Sequence, residues 1–143
     1  MSDFVTISTK IGEVLNSVKT ATGQLAAVYD FYNSANDAGY PYASFEMEGI
    51  DDQYLTTGEN IKIKKFTIAV INAVPDNGRA EATATLMDII DSIIKAFDDD
   101  FTLGGTVLKT NITNGVKFDT KEISGRAVGF QFDLDCTVVY TLT

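Results

Sequence analysis

The chain contains no histidine and no tryptophan, one cysteine and two prolines. Without histidine there is no Ser-His-Asp or Cys-His arrangement, no HExxH zinc motif, and no general base of the kind most used near neutral pH. The single cysteine, Cys136, excludes an intramolecular disulfide, and a zinc site would have to be assembled from that one thiol and carboxylates, against the usual ligand chemistry. No stretch approaches the roughly 18 unbroken apolar residues of a membrane span. The opening "MSDFVTISTKIGEVLNSV" lacks a basic region followed by an apolar run, so neither a signal peptide nor a membrane partner is expected, and the reading is a soluble protein made in the cytoplasm. Positive charge is scarce as well: 11 Lys and Arg stand against 20 Asp and Glu, a net charge of −9. Such a surface repels a phosphate backbone.

What is present is patterning. With 143 residues, 45% of them hydrophobic, the chain can bury a core, and 1–143 reads as one domain. Phe4, Ile7, Ile11, Val14, Leu15 and Val18 draw an apolar stripe on a helix over about residues 3 to 19, with Gly23 just past its end. A second helix follows the turn cluster "VPDNG", where Asp76 or Asn77 can cap it; Ala82, Leu86, Ile89, Ile90, Ile93, Ile94 and Phe97 share its wide apolar face. The acids "DDD" after Phe97 suit the loop that leaves this helix better than its negative C-terminal end.

Between the helices, "LAAVYDFYN" (25–33), "YASFEMEGI" and "IKIKKFTIAVINAV" read as strands, the last two separated by a polar loop through Asp51 and Asp52. In the third, the apolar parity changes from Ile61 and Ile63 to Phe66, Ile68 and Val70, which predicts a β-bulge at Lys64 and Lys65. After the second helix, "GGTVLKTNITNGVKFDTKEISG" suggests two short strands joined by a type I′ turn at Asn114-Gly115. The final run is different in scale. From Val128 to Leu142 every even residue is apolar or aromatic, and a strand of that length spans roughly 50 Å, beyond a compact domain with a radius of gyration of about 15 Å. It is expected to pack its even side chains under both helices and to bend or meet a neighbouring subunit with the remainder. Gly129 marks a bend or a close approach. The sum is an α+β two-layer sandwich: two amphipathic helices on one face of a largely antiparallel sheet of about five strands with a long C-terminal strand.

No candidate chemistry survives inspection. "LGGT" (103–106) has two glycines but no helix after it and reads as a turn, not a phosphate loop. Asp51, Asp52 and the acids of "FDDDF" lack the alternating ligands of a calcium loop and read as solvated. Asp133 and Asp135 stand about 7 Å apart on one strand face, without the opposed environments that acid and base roles require. Cys136, on the apolar face, reads as a small buried hydrophobe. No catalytic residue, cofactor or metal is assigned, and the chain is expected not to be an enzyme.

Two stretches carry a resemblance. "GYPYASFEMEGIDDQYLTTGENIKIKKFTIAVIN" (39–72), with its Tyr-Pro lead-in to a strand, acidic loop and Phe-centred strand, resembles the middle of siphophage-type tail terminator proteins. "AEATATLMDIIDSIIKAFDDDFTLGGTV" (80–107) is similar to that family's second helix and Thr-Leu-Gly-Gly turn. With the first helix and the alternating last strand, the resemblance covers most of the chain in order. It implies a virion protein that forms a homo-oligomeric, hexameric ring at the head-proximal end of the tail. The ring ends polymerisation of the tail tube protein, docks the neck or stopper protein, and lets DNA pass without specific binding. By that analogy Asp51, Asp52, Gln53 and Tyr54 are the candidate loop for tube or channel contact, and Gln131, Asp133, Asp135, Thr137 and Val139 the candidate subunit-contact strand. Two alternatives stay open: another neck or tail-completion ring such as a stopper, and a cytosolic α+β ligand-binding or dimerisation module with residues 49–60 closing over a pocket.

Overall fold

A computed structural model describes residues 3–30, 39–54, 58–75, 78–122 and 125–141. Helix α1 (Phe4–Thr22) begins where the Asp3 carboxylate accepts the Thr6 N–H at 2.8 Å; that bond holds the Asp3 carboxyl below the usual range. It ends at Gly23, whose left-handed φ of 66° favours glycine. Ile7, Ile11, Leu15 and Val18 of the predicted stripe are buried. Helix α2 (Arg79–Asp99) starts at Gly78 without a side-chain cap; Asp76 and Asn77 lie outside the described residues. Instead, Asn72 on the sheet donates to the Ala82 carbonyl at 3.1 Å, tying the first turn of α2 down. The acids after Phe97 are not all loop: Asp98 and Asp99 continue the helix, and Lys95 bridges to Asp99 at 2.8 Å, offsetting the unfavourable end charge. Asp100 then accepts the Gly104 N–H at 2.9 Å.

Both helices pack on one face of a five-stranded sheet in the order β1-β2-β3-β5-β4, formed by β1 (Ala27–Tyr29), β2 (Tyr42–Tyr54), β3 (Glu59–Ala73), β4 (Lys109–Glu122) and β5 (Gly125–Thr141). Only the β1-β2 pair is parallel. β1 is much shorter than the 25–33 expected, and 31–33 lie outside the described residues. The last strand is continuous over 17 residues and runs between β3 and β4. Its even residues Val128, Phe132, Leu134, Cys136, Val138 and Tyr140 are buried and join Phe45, Phe66, Ile68 and Val70 under the helices. At about 3.3 Å per residue β5 is some 55 Å long, against about 30 Å for α2, so the sheet outruns its helical cover.

Three local expectations need correction. The bulge lies on β2, where Glu48 is the extra residue between the pairs Met47↔Phe66 and Gly49↔Lys65, not on β3. β3 keeps one parity throughout: Lys64 faces the helices with its stem buried and its Nζ 5.0 Å from the Phe4 ring centre and 5.5 Å from that of Tyr140, while Ile61 and Ile63 face the other way. The lysine stems, not a register change, explain the pattern. Asn114-Gly115 is likewise a bulge within one 14-residue strand, not a turn between two. Asn114 takes φ 56° and its amide donates to Asp133 at 2.9 Å, so the left-handed residue is absorbed without reversing the chain. Finally, Asp51 and Asp52 belong to β2, not to a loop.

Gly129 does mark a close approach. A Cβ there would lie 2.4 Å from Cζ of Phe118, the β4 residue directly opposite. Gly129→Val is expected to cost about 1–3 kcal/mol by overpacking. Phe118→Ala in the same chain should recover most of that in a urea melt; a loss independent of residue 118 would mean that backbone, not the ring, sets the requirement.

Candidate functional site

The helix-free face of the sheet is where the polar residues of the long strands collect. The odd residues of β5 point there, and register sets Asp135 opposite Lys65 and Asp133 opposite Thr67. The bulge brings a third acid to the same place: Glu48 accepts from the Thr67 hydroxyl at 3.1 Å and lies beside Asp133. Asp51 bridges to Lys65 at 3.1 Å, a contact that raises the lysine pKa, and on the opposite face Asp52 bridges to Lys62 at 3.1 Å. Thus Asp51, Asp133 and Asp135 of the sequence-derived candidates come together with Glu48 on one face, whereas Asp52 faces the helix side. Thr137 is buried and Val139 exposed on the acidic side; Gln131 is exposed. Gln53 and Tyr54 are placed in β2, and their side chains lie outside the described residues.

The electrostatics of this face follow from hydrogen bonding and burial of its carboxyl groups. The hydrogen bond with Asp133, then burial, push the Glu48 carboxyl above its ordinary value. Burial pushes Asp135 up as well, and one of its carboxylate oxygens is buried without a hydrogen bond among the described residues. A raised folded-state carboxyl stabilises below its unfolded pKa, and that contribution is lost as pH rises through the folded value. Glu48→Gln is therefore expected to raise the melting temperature at pH 7 by a few degrees at most, since the group is exposed and screened. The gain should vanish near pH 4. An equal shift at both values would show that the effect does not come from the Glu48 charge.

Sequence reasoning missed Glu48. Its "EMEG" alternation looked like a half-buried strand, and the one signal was Gly49, which a bulge favours. Cys136 is fully buried and its thiol is pushed up to about 12 by that burial, so it is inert rather than nucleophilic. No three His, Cys, Asp or Glu among the described residues are grouped to hold a metal ion. No described helix is long and apolar enough to cross a membrane. At the opposite end of the uncovered face, Tyr42, Ile71 and Ala127 form a small second core with Ala27, flanked by Tyr29, Tyr40 and Phe118. That leaves the surfaces themselves: an acidic sheet face, two sheet edges, and exposed Met47, Ile50, Val116 and Val139 around them.

No protein-family model matches the chain, and no curated protein matches it. Among solved structures it is similar to a chain from the virion of a native gene transfer agent particle, at 17% identity and a TM-score of 0.54, covering 91% of this chain and 93% of that one. The likeness is one of fold along nearly the whole of both chains.

Proposed function

We propose that this protein is a structural component of a phage-like virion, and more specifically a tail terminator that caps the head-proximal end of the tail tube as a ring. The observation that carries the proposal is the fold likeness, over 91% of the chain, to a chain of a gene transfer agent virion. The sheet supports it physically: an acidic helix-free face with Glu48, Asp51, Asp133 and Asp135 suits a passage through which DNA moves without sticking. A ring further needs heterologous contacts that close, and a sheet open at two unlike edges provides them. In this reading the role is structural and not enzymatic, six copies form the ring, and its two rims meet the tube protein and the neck protein.

Electron microscopy of particles assembled with the gene deleted tests the proposal. Tails of uncontrolled length that fail to join heads are the expected result. Tails of normal length that join heads normally overturn it. Normal-length tails that stay headless would instead assign the chain to the neck, as a stopper.

A further inference from the structure

Positive charge is scarce in this chain, and what is not paired collects in one place. Lys10, Lys62, Lys65, Arg79 and Lys95 bridge acids, Lys64 is buried, and Lys19 sits in the last turn of α1. The other four cations, Lys109, Lys117, Lys121 and Arg126, make no ion pair among the described residues, and all stand on β4 and β5. Register puts Lys117, Asp119, Lys121 and Arg126 on the helix side, level with even residues of β5, and Lys109 on the other face. Asp119 is already engaged by Arg79 at 2.7 Å. Lys121 stands directly opposite Arg126, a like-charge pair that is unfavourable in the free chain and relieved by a negative partner. Beside these cations lies apolar surface. Because α2 packs on β3 and β5, a groove of about 470 Å³ is left over β4, walled by Leu86, Met87, Ile90 and Ile94, with Phe130 below and Asp91 and Lys117 at its rims. Met87 is 57% exposed there. A recess of about 290 Å³ continues toward the start of α2, lined by Arg79, Asp119, Lys121 and Arg126.

We infer that the α2-β4 groove and its basic end dock an acidic amphipathic helix of another virion protein. Its apolar stripe lies on Met87, Ile90 and Phe130, and its carboxylates meet Lys117, Lys121 and Arg126. The space has the dimensions of a helix. Packed helices stand about 8–10 Å apart, close to two strand spacings of about 4.8 Å, so the next place in the helix layer after α2 lies over β4 and its outer edge. Leu86, Ile90 and Ile94 recur at i, i+4 and i+8, the kind of ridge against which a second helix packs. An added strand fits less well, because the bulge at Asn114-Gly115 interrupts the edge it would pair with and it would lie beyond the groove. A nucleic-acid backbone would meet the cations but leave the apolar wall wet, and the net charge of −9 repels it. A second copy has nothing suitable to offer among its described residues: α1 and α2 already bury their apolar faces in their own core. Charge complementarity and the empty place in the helix layer therefore point to a different chain.

The inference rests on the virion reading only for where the occupant is found; the chemistry of the groove is tested without it. Two fluorescent peptides of about 18 residues, or five turns, serve as probes on the purified protein. Both carry leucine at i, i+3, i+4 and i+7 with alanine between, one with glutamate and the other with lysine at the remaining positions; a single-stranded DNA of similar length is the third probe. Anisotropy should show binding of the glutamate peptide alone. Lys117→Glu with Lys121→Glu should weaken it on the order of tenfold at low salt. Lys109→Glu, on the other face of the same strand, should change it less than about twofold. If the double variant fails to fold, Met87→Glu, a change at an exposed wall position, should abolish binding by itself. No binding, equal binding of both peptides, or equal loss at Lys109 overturns the site, and preference for the DNA gives the cations to a phosphate ligand instead. In purified particles, Met87→Cys carrying a benzophenone should cross-link to an acidic amphipathic segment of a different protein, while buried Cys136 stays unlabelled. Adducts only with a second copy or with DNA, or no adduct in particles that contain the chain, overturn the inference. Particles that lack the chain overturn the virion reading instead, and the peptides then decide the groove alone.

Discussion

Phe66→Ala is expected to lower stability by about 3–5 kcal/mol. Phe66 is 1% exposed on the helix side of β3, between Met47 and Leu134 on the neighbouring strands, and its ring centre is 5.8 Å from that of Phe4 at the start of α1. Truncation removes both the buried area and the ring against which the first turn of α1 rests. Since a chain of this size has about 5–15 kcal/mol in total, the loss is about a fifth or more of its stability. Urea melts measure it, and Phe66→Leu, closer in volume, should cost less than about half as much. Combining Phe4→Ala with Phe66→Ala should fall short of the sum of the two, because they share one contact. A loss under about 1 kcal/mol for Phe66→Ala would show that the sheet and α1 do not depend on this ring.

Leu103→Ala should cost about 2–5 kcal/mol, although the residue sits in a connection. Leu103 follows α2 in the turn that leads to β4, takes φ 49°, and is fully buried against the main core. Gly104 and Gly105 also have positive φ, so the glycine pair lets the chain fold back tightly enough to insert that leucine. The comparison is Leu108→Ala, five residues on and 56% exposed, which should stay within about 0.5 kcal/mol of the parent. Equal effects at the two positions would mean that the turn, and not the buried side chain, is what matters.

Periodicity read the helices and the last strand well because each is long and packs one face on a single neighbour. Ile7, Ile11, Leu15 and Val18, or the even residues of β5, are fixed by that one requirement. It failed where one residue satisfies two demands. Lys64 is polar by type and buried by its stem, so its neighbours looked like a register change. Asn114-Gly115 favours a turn locally, yet pairing on both sides with β5 keeps β4 straight through it. Asp51 and Asp52 looked like loop acids because their partners, Lys65 and Lys62, are supplied by a different strand. The candidate face was half legible for the same reason: Asp133 and Asp135 follow from strand parity, while Glu48 reaches them only through a bulge that tertiary pairing places. Which strands lie at the edges is a matter of topology, and no local pattern encodes that β5 sits inside β4.

The position of β5 also governs the order in which the molecule can form. β3 and β5 pair residue for residue from Glu59↔Thr141 to Ala73↔Ala127, so the centre of the sheet joins segments separated by an entire helix and hairpin arm. During synthesis the β2-β3 hairpin and both helices leave the ribosome before this strand does, and until it arrives β3 presents a bare inner edge. Lys62, Lys64 and Lys65 put charge on its first half only; beyond them Phe66, Ile68 and Val70 alternate with no charge or bulge to guard that side. The nascent chain is thus most prone to aggregate in the interval before its last strand is made, and slowing translation across codons 125–141 should lower soluble yield more than slowing it within α1.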